Sequence, residues 1–183
     1  VLGDSHVAPD LLWASAGKPW VSMVMDHVFT LGEPVVEHLL DGFGDVDSDA
    51  KVLFIELFER FKAKQAVPCL IEVLEKGPQQ NIEGAIHALG KISDERSLAS
   101  LIHLVEAEEG QWEGAICRAL IEIGKMHPSS TSTAIRNSIH SNGIRPIWLR
   151  VIGGLARDNE LDLLIAAAGH VHTEIRLAAI AAA

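Results

Sequence analysis

Four residues carry side chains that bind metals or move protons and recur at a regular interval: His38, Cys69, Glu72 and His103. Imidazole, thiolate and carboxylate are the ligand types of zinc and related ions. His38 and Cys69 are 31 residues apart, and so are Glu72 and His103. No single loop spans that distance compactly, so the four meet only if the fold stacks their segments. Packed helices lie roughly 8–10 Å apart, and ligands would have to reach across that gap. These residues therefore read as solvated polar groups on a shared surface, and no metal is assigned.

The stretch DVDSDAKVLFIE, residues 45–56, imitates a calcium loop, with acidic residues at positions 1, 3 and 5 and Glu56 at position 12. The glycine such a loop needs at position 6 is Ala50, and position 9 is Leu53. Phe54 and Ile55 belong to a helical apolar face, and a helix there cannot wrap an ion. The stretch is expected to be a turn whose Ser48 or Asp49 caps the next helix. No Gly-x-Ser-x-Gly nucleophile turn is present. The nine histidines show no catalytic spacing. The sequence thus gives no catalytic residue and no cofactor, and points away from an enzyme.

The elements that position these residues follow from an apolar ladder. Val36, Val67 and Leu98 are 31 residues apart, as are Leu39, Leu70 and Leu101, then Leu40, Ile71 and Ile102, then Phe43, Leu74 and Val105. Within each copy the spacing is i, i+3, i+4, i+7, one face of an α-helix. A second helix precedes each: Phe54, Ile55, Leu57, Phe58 and Phe61 map at 31 onto Ala85, Ile86, Ala88, Leu89 and Ile92. Each unit is a hairpin of helix A then helix B. The fourth copy is displaced by 34, with the extra residues near HPSSTST, 127–133, expected between its two helices. The fifth returns to register at 63, where Leu98, Leu101, Ile102 and Val105 become Leu161, Leu164, Ile165 and Ala168. A lone hairpin cannot bury its apolar face, and stacked copies bury it against one another. One domain over 1–183 is expected: a cap at 1–19, repeats at 20–44, 47–76, 79–109, 111–141 and 145–169, and a partial repeat at 172–183.

The segments GAIHALGKISDERSLASLIHLVE and LGEPVVEHLLDGFGDVDSDAKVLFIELFERF resemble HEAT repeats of the short bacterial type named after phycobilin lyases. A small residue and hydrophobics precede Leu-Gly-Lys-Ile, then come an Asp turn and a Leu-Ile helix. EIRLAAIAAA resembles the start of another helix A. The resemblance spans about residues 20–183 and implies an all-α, right-handed α-α superhelix, a HEAT-like solenoid of five to six hairpins. It implies B helices lining a concave surface. The face opposite the ladder then presents His38 and Asp41, Cys69 and Glu72, Ser100 and His103, Ala134 and Asn137, Leu163 and Ala166 as two rows. Relatives of this architecture that hydroxylate deoxyhypusine hold iron with His-Glu dyads, but here only the reversed Glu37-His38 occurs. No lyase motif is present to carry over.

Charge narrows the partner. Residues 1–110 hold 19 acidic and 8 basic side chains, whereas residues 111–183 hold 6 and 7. An acidic first half repels phosphate backbones, so nucleic acid is not expected. No apolar run approaches the roughly 18 residues that span a bilayer. Two cysteines make no disulfide framework, and a cytoplasmic setting is expected. The leading expectation is a non-catalytic scaffold whose concave face holds a protein or peptide, and the acidic first half suits a basic one. The alternative is a phycobilin-lyase-like or other small-molecule-handling protein using the same groove. Trp13 and Trp20 are expected to cover the first hairpin, Trp148 to lie in the core, and Trp112 to open the fourth helix A, where it could anchor a partner. Helix EIRLAAIAAA has no following helix B, and two expectations stand: the chain is a piece of a longer array, or its end packs on another copy, as a homodimer, or on a partner.

Overall fold

The structure is a computed structural model, which describes residues 5–107, 110–155, 161–170 and 172–182, with the backbone alone of 161–163. Among these residues it contains twelve α-helices and no strand. The fold is all-α, with helices packed in neighbouring pairs as in HEAT-like repeats. The chain divides into two compact units, Val1–Ile92 and Ser93–Ala183.

The first unit opens with a 3-10 turn, Ser5–Val7, and a cap helix α1, Ala8–Ser15. Helices α2 (Val21–Thr30), α3 (Val35–Gly42), α4 (Ser48–Arg60), α5 (Val67–Lys76) and α6 (Gln79–Ile92) follow. Helix α4 packs along α6, and α5 fills in against α6. The apolar ladder faces inward: Val36, Leu39, Val67, Leu70 and Leu74 are buried, as are Phe54, Ile55, Leu57 and Phe58 of α4. The cap helix packs on α2, α3 and α4. It does so through Ala8 and Leu12, both fully buried, whereas Trp13 and Trp20 are each 52% exposed. The tryptophans are therefore not the cover. A small leucine-alanine face fits against the hairpin, and the Trp13 indole lies outside it, donating to Asp47 Oδ2 at 3.2 Å.

The cap of α4 is Asp47, not Ser48 or Asp49. Its Oδ1 accepts from the backbone N–H of Asp49 at 3.1 Å and Ala50 at 2.9 Å. An extended backbone at Asp47 (φ −69°, ψ 173°) aims the carboxylate at those orphan donors. The acidic run is thus a helix start. Side chains one repeat apart are also joined. Arg60 reaches Asp26 at 2.9 Å and lies 4.5 Å over the Phe29 ring. Phe61, at the C-cap of α4, packs its ring on that of Phe29 at a tilt, with centroids 4.8 Å apart. Gln80 donates to Asp49, and His87 meets Glu59 at 2.8 Å.

The second unit contains α7 (Leu98–Ala107), α8 (Glu113–Met126), α9 (Pro128–Asn142), α10 (Pro146–Leu155), α11 (Leu161–Ala168) and α12 (Thr173–Ala182). Helix α8 packs on α10 and α10 on α12, while α7 lies against α8 and α9. Trp148 is fully buried in α10, and Trp112 stands at the N-cap of α8. The inserted residues of the fourth copy do not form a loop. Pro128 starts α9 directly after α8, and the helix runs 15 residues. Proline is pre-organised for the first helical turn, and Glu95 from the preceding turn accepts from Ser130 Oγ at 2.5 Å. Ser138 and Asn142 both donate to Glu106 at 2.7 Å, fixing the rest of α9 against α7. No helix among the described residues is long and apolar enough to cross a membrane.

Candidate functional site

The B helices present the residues that spacing singled out. On α3, His38 is half-buried and Asp41 exposed. The His38 ring lies against His6 at a 45° tilt, with centroids 3.9 Å apart. His6 comes from the 3-10 turn before the cap helix, and nothing in the repeat pattern marks it.

On α5, Cys69 is half-buried and Glu72 exposed. An i, i+3 spacing places them on one helix face. Together with Phe43, Gly44, Lys51, Val73, Lys76, Gly77 and Pro78 they line an open pocket of about 230 Å³. Phe43 and Val73 give it apolar lining, and Lys51, Glu72 and Lys76 give it charged lining. Lys76 Nζ pairs with Glu72 at 3.3 Å, one helical turn away, and Lys51 Nζ sits 5.6 Å over the Phe43 ring. Burial pushes the Cys69 thiol above its ordinary pKa, and the Glu72 carboxylate adds to that. A thiol held protonated is a weak nucleophile and a poor metal ligand at neutral pH. The lysines lie outside the apolar ladder, so the sequence pattern gives no signal for them, and Gly77-Pro78 announces a turn but not a pocket.

In the second unit, Ser100 of α7 is partly buried and His103 exposed. Asn137 of α9 and Ala166 of α11 are exposed, and Ala134 is partly buried. Leu163 lies outside the described side chains. Among the described residues no three His, Cys, Asp or Glu side chains gather into a metal-binding group. The geometry brings Cys69 and Glu72 into one pocket. His38 is held by His6 instead of joining them.

The sequence profile of the HEAT repeats matches residues 36–131, just over half of the chain. The chain is a HEAT-repeat protein. The matched span runs from the apolar ladder of α3 to the first turns of α9, where the insertion lengthens the helix. No curated protein matches this HEAT-repeat chain.

Proposed function

We propose that this HEAT-repeat protein is a non-catalytic scaffold that binds a protein or peptide segment along its B-helix faces, the side the family resemblance makes concave. The observation that carries the reading is the pocket at Cys69 and Glu72. Small-molecule sites usually enclose roughly 300–1,000 Å³ and bury most of the ligand. A more open pocket of about 230 Å³ suits one side chain of an extended segment better than a tetrapyrrole. That size also weighs against the alternative, a phycobilin-lyase-like or other small-molecule-handling protein in the same groove. The proposed contact residues are His38, Asp41, Cys69 and Glu72 in the first unit and, taken separately, Ser100, His103, Asn137, Leu163 and Ala166 in the second. Residues 1–92 hold 14 acidic and 7 basic side chains, which favours a basic segment and disfavours nucleic acid. The proposed setting is the cytoplasm.

The test is peptide display against the whole chain, followed by affinity measurement of the selected peptides. Binders rich in Lys and Arg should weaken with added salt, and the Asp41→Lys and Glu72→Lys variants should lose them. Lys125→Glu on α8 should bind as the parent does. Binders indifferent to both B-helix changes would reject the assigned face. A shifted tetrapyrrole absorption band on mixing would favour the alternative.

A further inference from the structure

We infer that the pocket at Cys69 and Glu72 takes the C-terminal residue of the partner segment, with an apolar side chain against Phe43 and Val73 and the main-chain carboxylate on Lys51. This names the part of the partner that the proposed peptide surface receives, and it rests on that reading. The pocket lies wholly inside the first unit, lined by residues of α4 and α5 and of the turns that follow α3 and α5. Three charged side chains line it, and one of them is unmatched. Glu72 and Lys76 pair with each other at 3.3 Å, which leaves Lys51. Its ammonium lies 5.6 Å over the Phe43 ring, and no carboxylate among the described residues pairs with it. Carboxylates are plentiful in residues 1–92, with 14 acidic against 7 basic side chains, yet none is placed on this lysine. The repeat itself does not ask for a lysine there, since its equivalent 31 residues on, Ile82, is buried. A partly buried ammonium gains from an anion brought to it in a charge-assisted hydrogen bond.

A cation set against an aromatic wall suits a ligand that is apolar and anionic within one residue. In an extended segment successive side chains point to opposite sides, and the next one on the same side stands roughly 7 Å further along. An internal Asp or Glu beside the pocket residue would therefore point away from Lys51 or pass beyond it. A chain terminus carries its carboxylate on the Cα of the pocket residue itself. Capture of a terminal carboxylate is one of the recurring modes of peptide recognition. The Lys and Arg residues upstream in the same segment then face the acidic B-helix positions Asp41 and Glu72. A basic segment with an anionic end satisfies both kinds of charge.

Two libraries of short displayed peptides test this against the whole chain, one with free C-termini and one fused to its carrier through the C-terminus. The free-end library should yield binders ending in Leu, Ile, Met or Phe. Each binder is then synthesised as the C-terminal acid and as the amide. The amide carries one more net positive charge, which an acidic surface alone would favour. It should nonetheless bind the parent at least about tenfold more weakly, and the gap should close in Lys51→Gln. The comparison of acid with amide uses the parent, so it holds even if the variant misfolds. Acid and amide bound equally, with both lost in Asp41→Lys and Glu72→Lys, would overturn the terminal assignment and leave the peptide surface standing. A gap that a helical Lys51→Gln variant leaves intact would put the carboxylate elsewhere and overturn the assignment too. No binder from either library would overturn the peptide surface and this inference together.

Discussion

Lys62 and Ser93, one repeat apart in sequence, both hold a left-handed backbone, with φ of 50° and 54°. Each follows a helix A that has just ended, α4 at Arg60 and α6 at Ile92. A 3-10 turn comes next in both, Lys64–Ala66 and Glu95–Ser97, and then a ten-residue helix B, Val67–Lys76 and Leu98–Ala107. The repeat is thus a repeat of backbone conformation as well as of apolar side chains. A left-handed L-residue costs about 1–2 kcal/mol, and glycine avoids most of that at some entropic cost. Lys62→Gly is expected to stabilise the chain by about 0.5–1 kcal/mol in urea unfolding, with Lys62→Ala giving no gain. A glycine variant less stable than the alanine variant would show that the left-handed turn is not populated.

Leu70 and Glu72 sit two residues apart on α5 with opposite surroundings. Leu70 is fully buried. A carboxylate there would lack a partner, and Leu70→Asp should cost more than about 3 kcal/mol or abolish the folding transition. Glu72 is two-thirds exposed, and so is its partner Lys76. Such pairs contribute little, and Glu72→Ala should stay within about 0.5 kcal/mol. Thermal melts of the two variants decide it, since equal losses would mean the helix faces are reversed.

The cap at Asp47 makes a pH prediction. The Ala50 backbone N–H, the Trp13 indole and the Asp49 backbone N–H hold its carboxyl below the ordinary carboxylate pKa. A depressed folded-state value means the unfolded chain takes up the proton first as acid is added. The contribution is present above the unfolded pKa and is lost as pH falls through the folded one. Asp47→Ala should therefore lower the melting temperature at pH 7, and the difference from the parent should shrink steadily below about pH 4. A difference independent of pH from 7 to 3 would assign the loss to packing instead of charge.

The ladder was readable because burial repeats its side-chain types: Leu39, Leu70 and Leu101 are each fully buried. The turns were less so. Lys62 and Ser93 are not the residues that usually announce a left-handed turn, so its recurrence is invisible in composition. Ser-Ser-Thr-Ser-Thr after Pro128 reads as a loop by propensity, yet Glu95 of an earlier turn holds it in α9 through Ser130, and Glu106 of α7 holds the rest of that helix through Ser138 and Asn142. Tertiary contacts decide there, and local preference does not. The tryptophans misled for a related reason. Bulk suggests burial, but Ala8 and Leu12 match the narrow space on the first hairpin. At the candidate site, Cys69 and Glu72 were legible as helix neighbours. Lys51 and Phe43 come to the pocket from other elements, and no local pattern brings them there.

Gly154 of α10 lies so close to α8 that a Cβ built on it would overlap Ile121 Cδ1 and stand 2.9 Å from Cγ1. Two effects oppose each other when a methyl is added. Replacing glycine by alanine in a helix gains up to about 1 kcal/mol in propensity. Overpacking a formed contact costs about 1–3 kcal/mol, and a β-branched isoleucine has few rotamers with which to retreat. Gly154→Ala should therefore lower stability in the parent by about 1 kcal/mol net. In an Ile121→Ala background the obstruction is gone, and the same change should raise stability by up to about 1 kcal/mol. The sign inversion, a coupling of at least about 1 kcal/mol, separates close helix packing from a general intolerance of the site. Urea unfolding of the four proteins measures it. If Gly154→Ala stabilises the parent as much as it does the Ile121→Ala chain, the two helices are not in contact at that point.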